Sequence, residues 1–378
     1  MTCSSTNGTG VSKWFSNRKK KVLEKNTGTL LWAAGACAAG LGLWLLRRKQ
    51  QPRFDGASVL ITGGSRGLGL ALARRFAREG ARLTLLARDG DELERARKEL
   101  ARTGADVIVY ECDVGDPDQV DSAVRFVCEK RGRIDVLVNN AGIIQVGPVE
   151  NMTLADFQEA LDVHTWGPLR LMRAVIPQMK AQGEGRIVNI SSIGGLVAVP
   201  HLLPYVVSKF ALTGLSDGMR SELSKDNIQV TTVCPGLMRT GSHVNAFFKG
   251  KHRQEFTWFA LSSGTPLSST SAQRAARQIV EACRRGTARL IITPQARLLH
   301  GLNALAPDLT ATVFNAIARL LPAPSGDDDH ERHPGWASAT SLVPSLLTRL
   351  ADKAALRNNE LDDETAAVYH DHHDDRHE

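Results

Sequence analysis

Tyr205 and Lys209 stand four residues apart in the run PYVVSK (204–209), whose other members are apolar or small. On a helix that spacing makes them surface neighbours. A nearby ammonium favours phenolate over phenol, so the pair predicts a tyrosine pKa below its usual value of about 10. A tyrosine tuned in that way gives and takes protons near neutral pH. A core-edge tyrosine beside a solvated lysine would leave the same short pattern, so the rest of the chain has to decide between them.

A second stretch suited to chemistry, TGGSRGLG (62–69), follows the apolar run SVLIT (58–62) and opens a helical pattern. Gly63 permits a tight turn there, while Gly67 and Gly69 allow a pyrophosphate and the helix to come close. The helix N-terminus adds amide donors and a favourable dipole. A glycine pattern alone is weak; one set between a strand and a helix is much stronger. An acid at the end of the next strand would bind the ribose hydroxyls of NAD and repel a 2′-phosphate. That strand ends LLAR, with Ala87 where the acid is expected, Arg88 beside it, and Arg66 inside the glycine turn. Two guanidinium groups suit a phosphate, so NADP(H) is the expected cofactor; the plain alternative is a pair of surface arginines.

The elements that would position these residues alternate along the chain. Short β-branched and apolar runs occupy 58–62, 82–87, 106–110, 135–139, 186–190 and 229–233, with a plausible last strand at 288–293. Amphipathic helical patterns such as DELERARKEL and SAQRAARQIVEACRRG separate them. This alternation predicts an α/β fold, a parallel sheet covered by helices on both faces.

With NNAG (139–142), NISS (189–192), YVVSK (205–209) and PGLMRT (235–240) following the glycine turn in order, the chain resembles the short-chain dehydrogenase/reductase family over roughly residues 56–295. Five motifs in the right order are far more specific than any one of them. The resemblance implies a Rossmann-type, doubly wound sheet that carries a nicotinamide dinucleotide. It makes Tyr205 the acid/base, Lys209 its pKa modifier and ribose ligand, and Ser192, rather than Ser191, the group that orients the substrate oxygen. It places Gly63, Ser65, Arg66, Gly67, Leu68, Gly69 and Arg88 on the cofactor, with Asp113 and Val114 at the adenine. Asn140, Ala141 and Gly142 would line the adenosine side, and Pro235, Gly236 and Thr240 the carboxamide end. One position departs from the family: where an asparagine usually helps hold a water linked to the lysine, this chain has His164 in DVHTWG. An imidazole could serve there and add a titration between about pH 6 and 7.

Outside this core the chain of 378 residues, with a formal charge of +7, is uneven. Residues 1–26 are basic, residues 27–46 (TGTLLWAAGACAAGLGLWLL) carry no charge, and residues 47–55 form a basic linker. About 20 apolar residues match the hydrocarbon thickness of a bilayer, and Trp32 and Trp44 lie near the two ends. A membrane-anchor helix is therefore expected, as a full span or a monotopic insertion. A signal peptide cut near residues 36–38 and a buried soluble helix are the rivals, but the apolar run continues past that cut and basic clusters flank both of its ends. Basic clusters on both flanks leave orientation open; an intracellular cofactor puts the catalytic domain on the cytosolic side.

Residues 237–270 form an insertion rich in Phe247, Phe248, Phe256, Trp258 and Phe259; residues 296–324 read as amphipathic helices. Residues 325–378 read as a polar, acidic, disordered tail, whose histidines are better taken as solvated than as metal ligands. The six cysteines have no paired spacing and read as reduced thiols rather than a disulfide or zinc framework.

The sequence thus points to a membrane-anchored, NADPH-dependent oxidoreductase that interconverts a ketone or aldehyde and an alcohol. Aromatic insertion and anchor together suggest a lipophilic substrate such as a sterol, retinoid or long-chain ketone, although simple packing would explain the same phenylalanines. Membrane lipids are the expected partner, a homodimer is possible by analogy, and neither a metal nor nucleic acid is called for. The rival of another class is a non-catalytic, NADPH-binding scaffold or redox sensor.

Overall fold

Seven runs rich in Val, Ile, Leu and Thr pair side by side into one all-parallel sheet. They are β1 (Ser58–Thr62), β2 (Arg82–Ala87), β3 (Val107–Glu111), β4 (Val136–Asn139), β5 (Gly185–Ile190), β6 (Ile228–Pro235) and β7 (Arg289–Ile292). Their spatial order is β7-β6-β5-β4-β1-β2-β3. The chain divides into residues 1–52 and 53–378. The computed structural model describes residues 54–264, 269–326, 329–340, 343, 349–361, 365 and 369, all within the second unit.

Period-two burial sorts each strand between two cores, because successive side chains point to opposite faces. Val59 and Ile61 enter one core with Leu83, Leu85, Val136 and Val188; Leu60 enters the other with Leu86, Leu137 and Ile187. Helices α1 (Gly67–Ala77), α2 (Gly90–Ala101) and α8 (Ala272–Arg285) cover the first face. Helices α3 (Pro117–Arg131), α5 (Gly167–Gln182) and α6 (Leu203–Leu223) cover the second. Their starts are fixed by local chemistry. Asp89 accepts from the Glu92 amide, Asp116 accepts from the amides of Asp118 and Gln119, and Thr153 with Asp156 forms a capping box for α4 (Leu154–Leu161). This is a doubly wound Rossmann-type α/β fold, with its switch point between β1 and β4.

A third, smaller core lies beyond the carboxyl edge of the sheet. Phe247–Phe248 pairs in parallel with Gln145–Val146 and antiparallel with His333–Pro334. Phe248 stacks edge-on against Phe256 and Phe259, with ring centroids 5.4 and 5.9 Å apart. Helix α7 (His252–Gly264) carries the last two of these rings.

One feature of the C-terminal part differs from the reading of its sequence. The stretch after residue 325 is not uniformly disordered: it contributes a strand and α11 (Arg349–Arg357), and buries Ala339, Val343, Ala355, Leu361 and Tyr369 in the third core. The stretch 336–356 is rich in Ala and Leu between polar flanks, and those buried side chains share a cluster with Val244, Phe248, Phe256 and Ala260. The preceding stretch forms two helices, α9 (Pro294–Leu305) and α10 (Pro307–Ala318), which leave Leu298, Leu305, Leu309 and Val313 exposed. Among the described residues no helix is long and apolar enough to cross a membrane. The run at 27–46 lies outside them, as do Cys3, Cys37 and the histidines at 370–377. Cys112, Cys128, Cys234 and Cys283 are free thiols.

Candidate active site

A cleft of about 580 Å³ opens at the carboxyl edge of β1, β4, β5 and β6, where an open parallel sheet takes its ligands. Every site residue expected from the sequence lines it except Gly69. That glycine has another duty: a Cβ there would lie 1.9 Å from the Gly63 carbonyl oxygen, so only glycine lets α1 leave the turn this tightly. Gly63 itself has a φ of +60°.

Thr62 and Asn140 build the floor of the glycine turn. The Thr62 hydroxyl accepts from the amides of Asn140 and Ala141 at 2.9 and 3.0 Å, and Asn140 Nδ2 donates to the carbonyls of Thr62 and Gly63. The side chain of Asn140 therefore sews β1 to β4 rather than reaching out from the adenosine wall. Deeper in the sheet, Asn139 donates to Asn189, and Asn189 donates to Ser216 on α6. This buried chain ties the strands to the helix that carries Tyr205. Asn139 and Asn189 sit inside recognisable strands and Ser216 on the helix, but no local signal marks their partners.

At the other end of the cleft, Lys209 Nζ lies 5.6 Å from the centre of the Tyr205 ring, as the helical spacing requires, and donates to the Ile190 carbonyl at 2.9 Å. The electrostatics run opposite to the sequence reading. Desolvation raises the Tyr205 pKa, opposed by its hydrogen bond with Ser192, and the Lys209 charge is not among the causes. Burial instead lowers Lys209 from its usual value to about 7. The two serines separate cleanly. Ser191 is consumed in structure, donating to the Lys209 carbonyl and meeting Thr213 at 2.8 Å, whereas Ser192 faces Tyr205.

His164 is fully buried in a π-turn, Asp162–Trp166, that joins α4 to α5. The Ile143 amide donates to Nε2 at 3.1 Å, so Nε2 carries no proton. Nδ1–H then donates to Ser208 Oγ at 2.7 Å, and Ser208 donates onward to the Tyr205 carbonyl at 2.9 Å. Every ring position is committed, and burial next to Lys209 holds the imidazole pKa well below 6.5. The titration between pH 6 and 7 that an imidazole suggests is therefore absent. His164 is a fixed neutral bridge, packed edge-on to Tyr205 at 5.4 Å.

The aromatic insertion mostly packs on itself. Phe248, Phe256 and Phe259 belong to the third core, and Phe247 is the phenylalanine that lines the cleft, joined there by Trp336 and Pro334. Trp336, Pro334 and Glu360 were invisible as site residues in the sequence, because they come from a segment whose composition reads as solvated tail.

The glycine turn fits a dinucleotide. The N-terminus of α1 faces the cleft with no side-chain cap on its first turn and no acidic residue in it, the environment an anion takes, and its Gly67 amide donates to the Asn358 carbonyl. Arg88 borders the same cleft, 4.0 Å from Asp113. Arg66 is already paired, with Glu92 at 2.6 Å and Glu360 at 3.4 Å.

The profile described as "short chain dehydrogenase" matches residues 57–249. The chain belongs to this family. A dehydrogenase/reductase SDR family protein 7-like from Anopheles gambiae is 36% identical over 80% of this chain and 99% of its own length. Oxidoreductase UcpA of Escherichia coli is 39% identical over 50% of this chain and 72% of its own. Among solved structures, a short-chain dehydrogenase from Streptomyces avermitilis superposes with a TM-score of 0.59 at 29% identity, over 70% of this chain and 98% of the other. L-sorbose reductase from Gluconobacter frateurii, solved with NADPH and L-sorbose, gives a TM-score of 0.58 at 29% identity, covering 64% of this chain and 97% of its own. For a short-chain dehydrogenase, general dehydrogenase/reductase activity with a nicotinamide dinucleotide follows, and the cleft above is where it belongs.

Proposed function

We propose that this chain is an NADP(H)-dependent oxidoreductase that interconverts a lipophilic ketone or aldehyde and its alcohol. The observation that carries the reading is the meeting of Ser192, Tyr205 and Lys209 in one cleft that also contains the glycine turn. A bound nicotinamide dinucleotide supplies or accepts the hydride. Ser192 donates a hydrogen bond to the carbonyl oxygen and orients it. Tyr205 gives its proton to that oxygen as charge develops there, and takes it back in the reverse direction. Lys209, anchored on the Ile190 carbonyl, lies against the Tyr205 ring and, in its protonated form, stabilises the phenolate that the transfer leaves. His164 fixes the backbone at Tyr205 through Ser208.

The NADP preference is supported by Arg88 at the mouth of the cleft, by Ala87 where an acid would select NAD, and by the NADPH bound to the sorbose reductase neighbour. Lipophilicity is supported by Ile144, Met238, Phe247 and Trp336 at the substrate end. Membrane attachment is supported by the uncharged run at 27–46 and by the exposed leucines of α9 and α10. The cytosol-facing orientation follows from the cofactor alone, and a homodimer from what the family commonly does.

Purified full-length protein, assayed with NADPH and with NADH against ketones of graded chain length, tests the reading. Turnover that favours NADPH and rises with chain length is the expected result. Absence of turnover on every ketone, with NADPH bound, would favour the non-catalytic scaffold. Deleting residues 1–50 should shift the protein from the membrane pellet toward the supernatant; an unchanged pellet fraction would remove the anchor from the account.

A further inference from the structure

The phosphate end of the cleft already has a tenant from the far end of the chain. After α11 the backbone turns through Asn358, Asn359 and Glu360, with Asn359 in the left-handed region at φ +58°, and lies against the glycine turn. The Gly67 amide, first of α1, donates to the Asn358 carbonyl at 2.9 Å. Asn359 Nδ2 donates to the carbonyls of Ser65 and Glu92 at 2.9 and 3.2 Å. The Glu360 side chain is 4% exposed, accepts from Asn245 at 2.9 Å and lies 3.4 Å from Arg66 Nε. It also presses on the turn itself: a Cβ on Gly67 would meet Glu360 Oε1 at 2.5 Å.

These contacts occupy groups that a phosphate would use: the Asn358 carbonyl takes the Gly67 amide at the helix N-terminus, and the Glu360 carboxylate lies against the Arg66 guanidinium. A carboxylate and a pyrophosphate cannot share that position without strong repulsion, and the glycines leave little room for both. We propose that the Asn358–Glu360 corner is a built-in occupant of the phosphate end of the dinucleotide site, and that the cofactor binds by displacing it. The inference rests on the dinucleotide reading of the cleft. The arm is held by replaceable contacts. Arg74 binds the Arg357 carbonyl and Asn358 Oδ1, Arg95 binds Asn359, and Asn358 Nδ2 donates to Thr240. Its release exposes little apolar surface at the corner itself. The apparent affinity for cofactor is then reduced by the fraction of molecules in which the corner is seated.

Hydrogen–deuterium exchange on the full-length protein, with and without NADPH, reads the corner directly. NADPH should slow exchange at residues 63–69 and speed it at residues 354–361. Slowing at both would make the arm a wall of the occupied site and overturn the proposal while leaving the dinucleotide reading intact. No slowing at residues 63–69 would overturn both. As a second measurement, Glu360→Gln should tighten NADPH binding by on the order of tenfold by removing the competing charge; unchanged or weaker binding would overturn the displacement.

Discussion

Replacing His164 by asparagine should flatten the acid limb of the stability profile, and the size of the effect follows from the tautomer the structure imposes. Below pH 6.5 the unfolded chain takes up a proton at this histidine, whereas the folded chain holds the ring neutral between Ile143 and Ser208. The unfolded state then binds more protons, so stability falls as the pH falls. With an unfolded pKa near 6.5 and a ring that stays neutral in the fold, the unfolded state gains about 0.2 kcal/mol at pH 7 and about 2.1 kcal/mol at pH 5. The difference, about 1.9 kcal/mol, should vanish in His164→Asn. Urea titrations of both proteins at pH 7 and pH 5 measure it as a difference of differences, in which the titrating groups that do not interact with His164 cancel. Equal pH dependence in the two proteins would refute the neutral bridge. The asparagine oxygen can still accept from the Ile143 amide, so kcat should stay within about tenfold of the wild type, about 1.4 kcal/mol of barrier. The kcat profile between pH 6 and 7 should keep its shape.

Three further outcomes follow. Lys209→Met should raise the urea midpoint at pH 7, because it removes a buried ammonium whose pKa burial lowers to about 7, while lowering kcat by at least about a hundredfold; loss of both stability and activity would contradict that trade. In the wild type this lysine's contribution to stability recovers as pH rises from 7 toward 10.5, where the unfolded chain holds the proton that the folded chain has released. Ser192→Ala should lower kcat about a hundredfold with little change in stability, whereas Ser191→Ala should cost about 1 kcal/mol of stability and keep most of kcat; steady-state kinetics paired with denaturation separates them, and a reversal would exchange their roles. Arg88→Asp should weaken NADPH binding at least about tenfold and NADH binding much less, by fluorescence titration; equal loss would show that Arg88 does not read the 2′-phosphate.

Local signals served the sheet well. β1 and β2 begin and end where the apolar runs do, and the others shift by no more than two residues, since buried parallel strands write themselves as short β-branched runs. The glycine turn and the Tyr205–Lys209 pair were readable because each is a local motif with a fixed spacing. What escaped depends on distant parts of the chain. Lys209 was expected to tune Tyr205, but the depth of the helix in the fold desolvates both, and that depth is not written in four residues. Arg66 looked free for a phosphate until Glu92 and Glu360 closed on it. Glu92 was within reach of a closer reading, because the acid lies on the first turn of the helix that follows Arg88. Trp336 and Glu360 were not, because their partners, Val244 and Asn245, lie far away along the chain and no local pattern names them. The phenylalanines of the insertion were visible as a cluster, yet their choice between substrate and core was decided by packing: Phe248, Phe256 and Phe259 form the third core and Phe247 lines the cleft.

The central claim is that Tyr205 transfers the proton, and Tyr205→Phe tests it most directly. The ring and its packing on His164 are kept, and the hydroxyl alone is lost. Single-turnover reduction of one good ketone, with NADPH binding measured separately by fluorescence, isolates the chemical step. The account expects the single-turnover rate to fall by at least about a thousandfold while the dissociation constant for NADPH changes less than about threefold. A phenylalanine variant that reduces the ketone within about tenfold of the wild-type rate would contradict it.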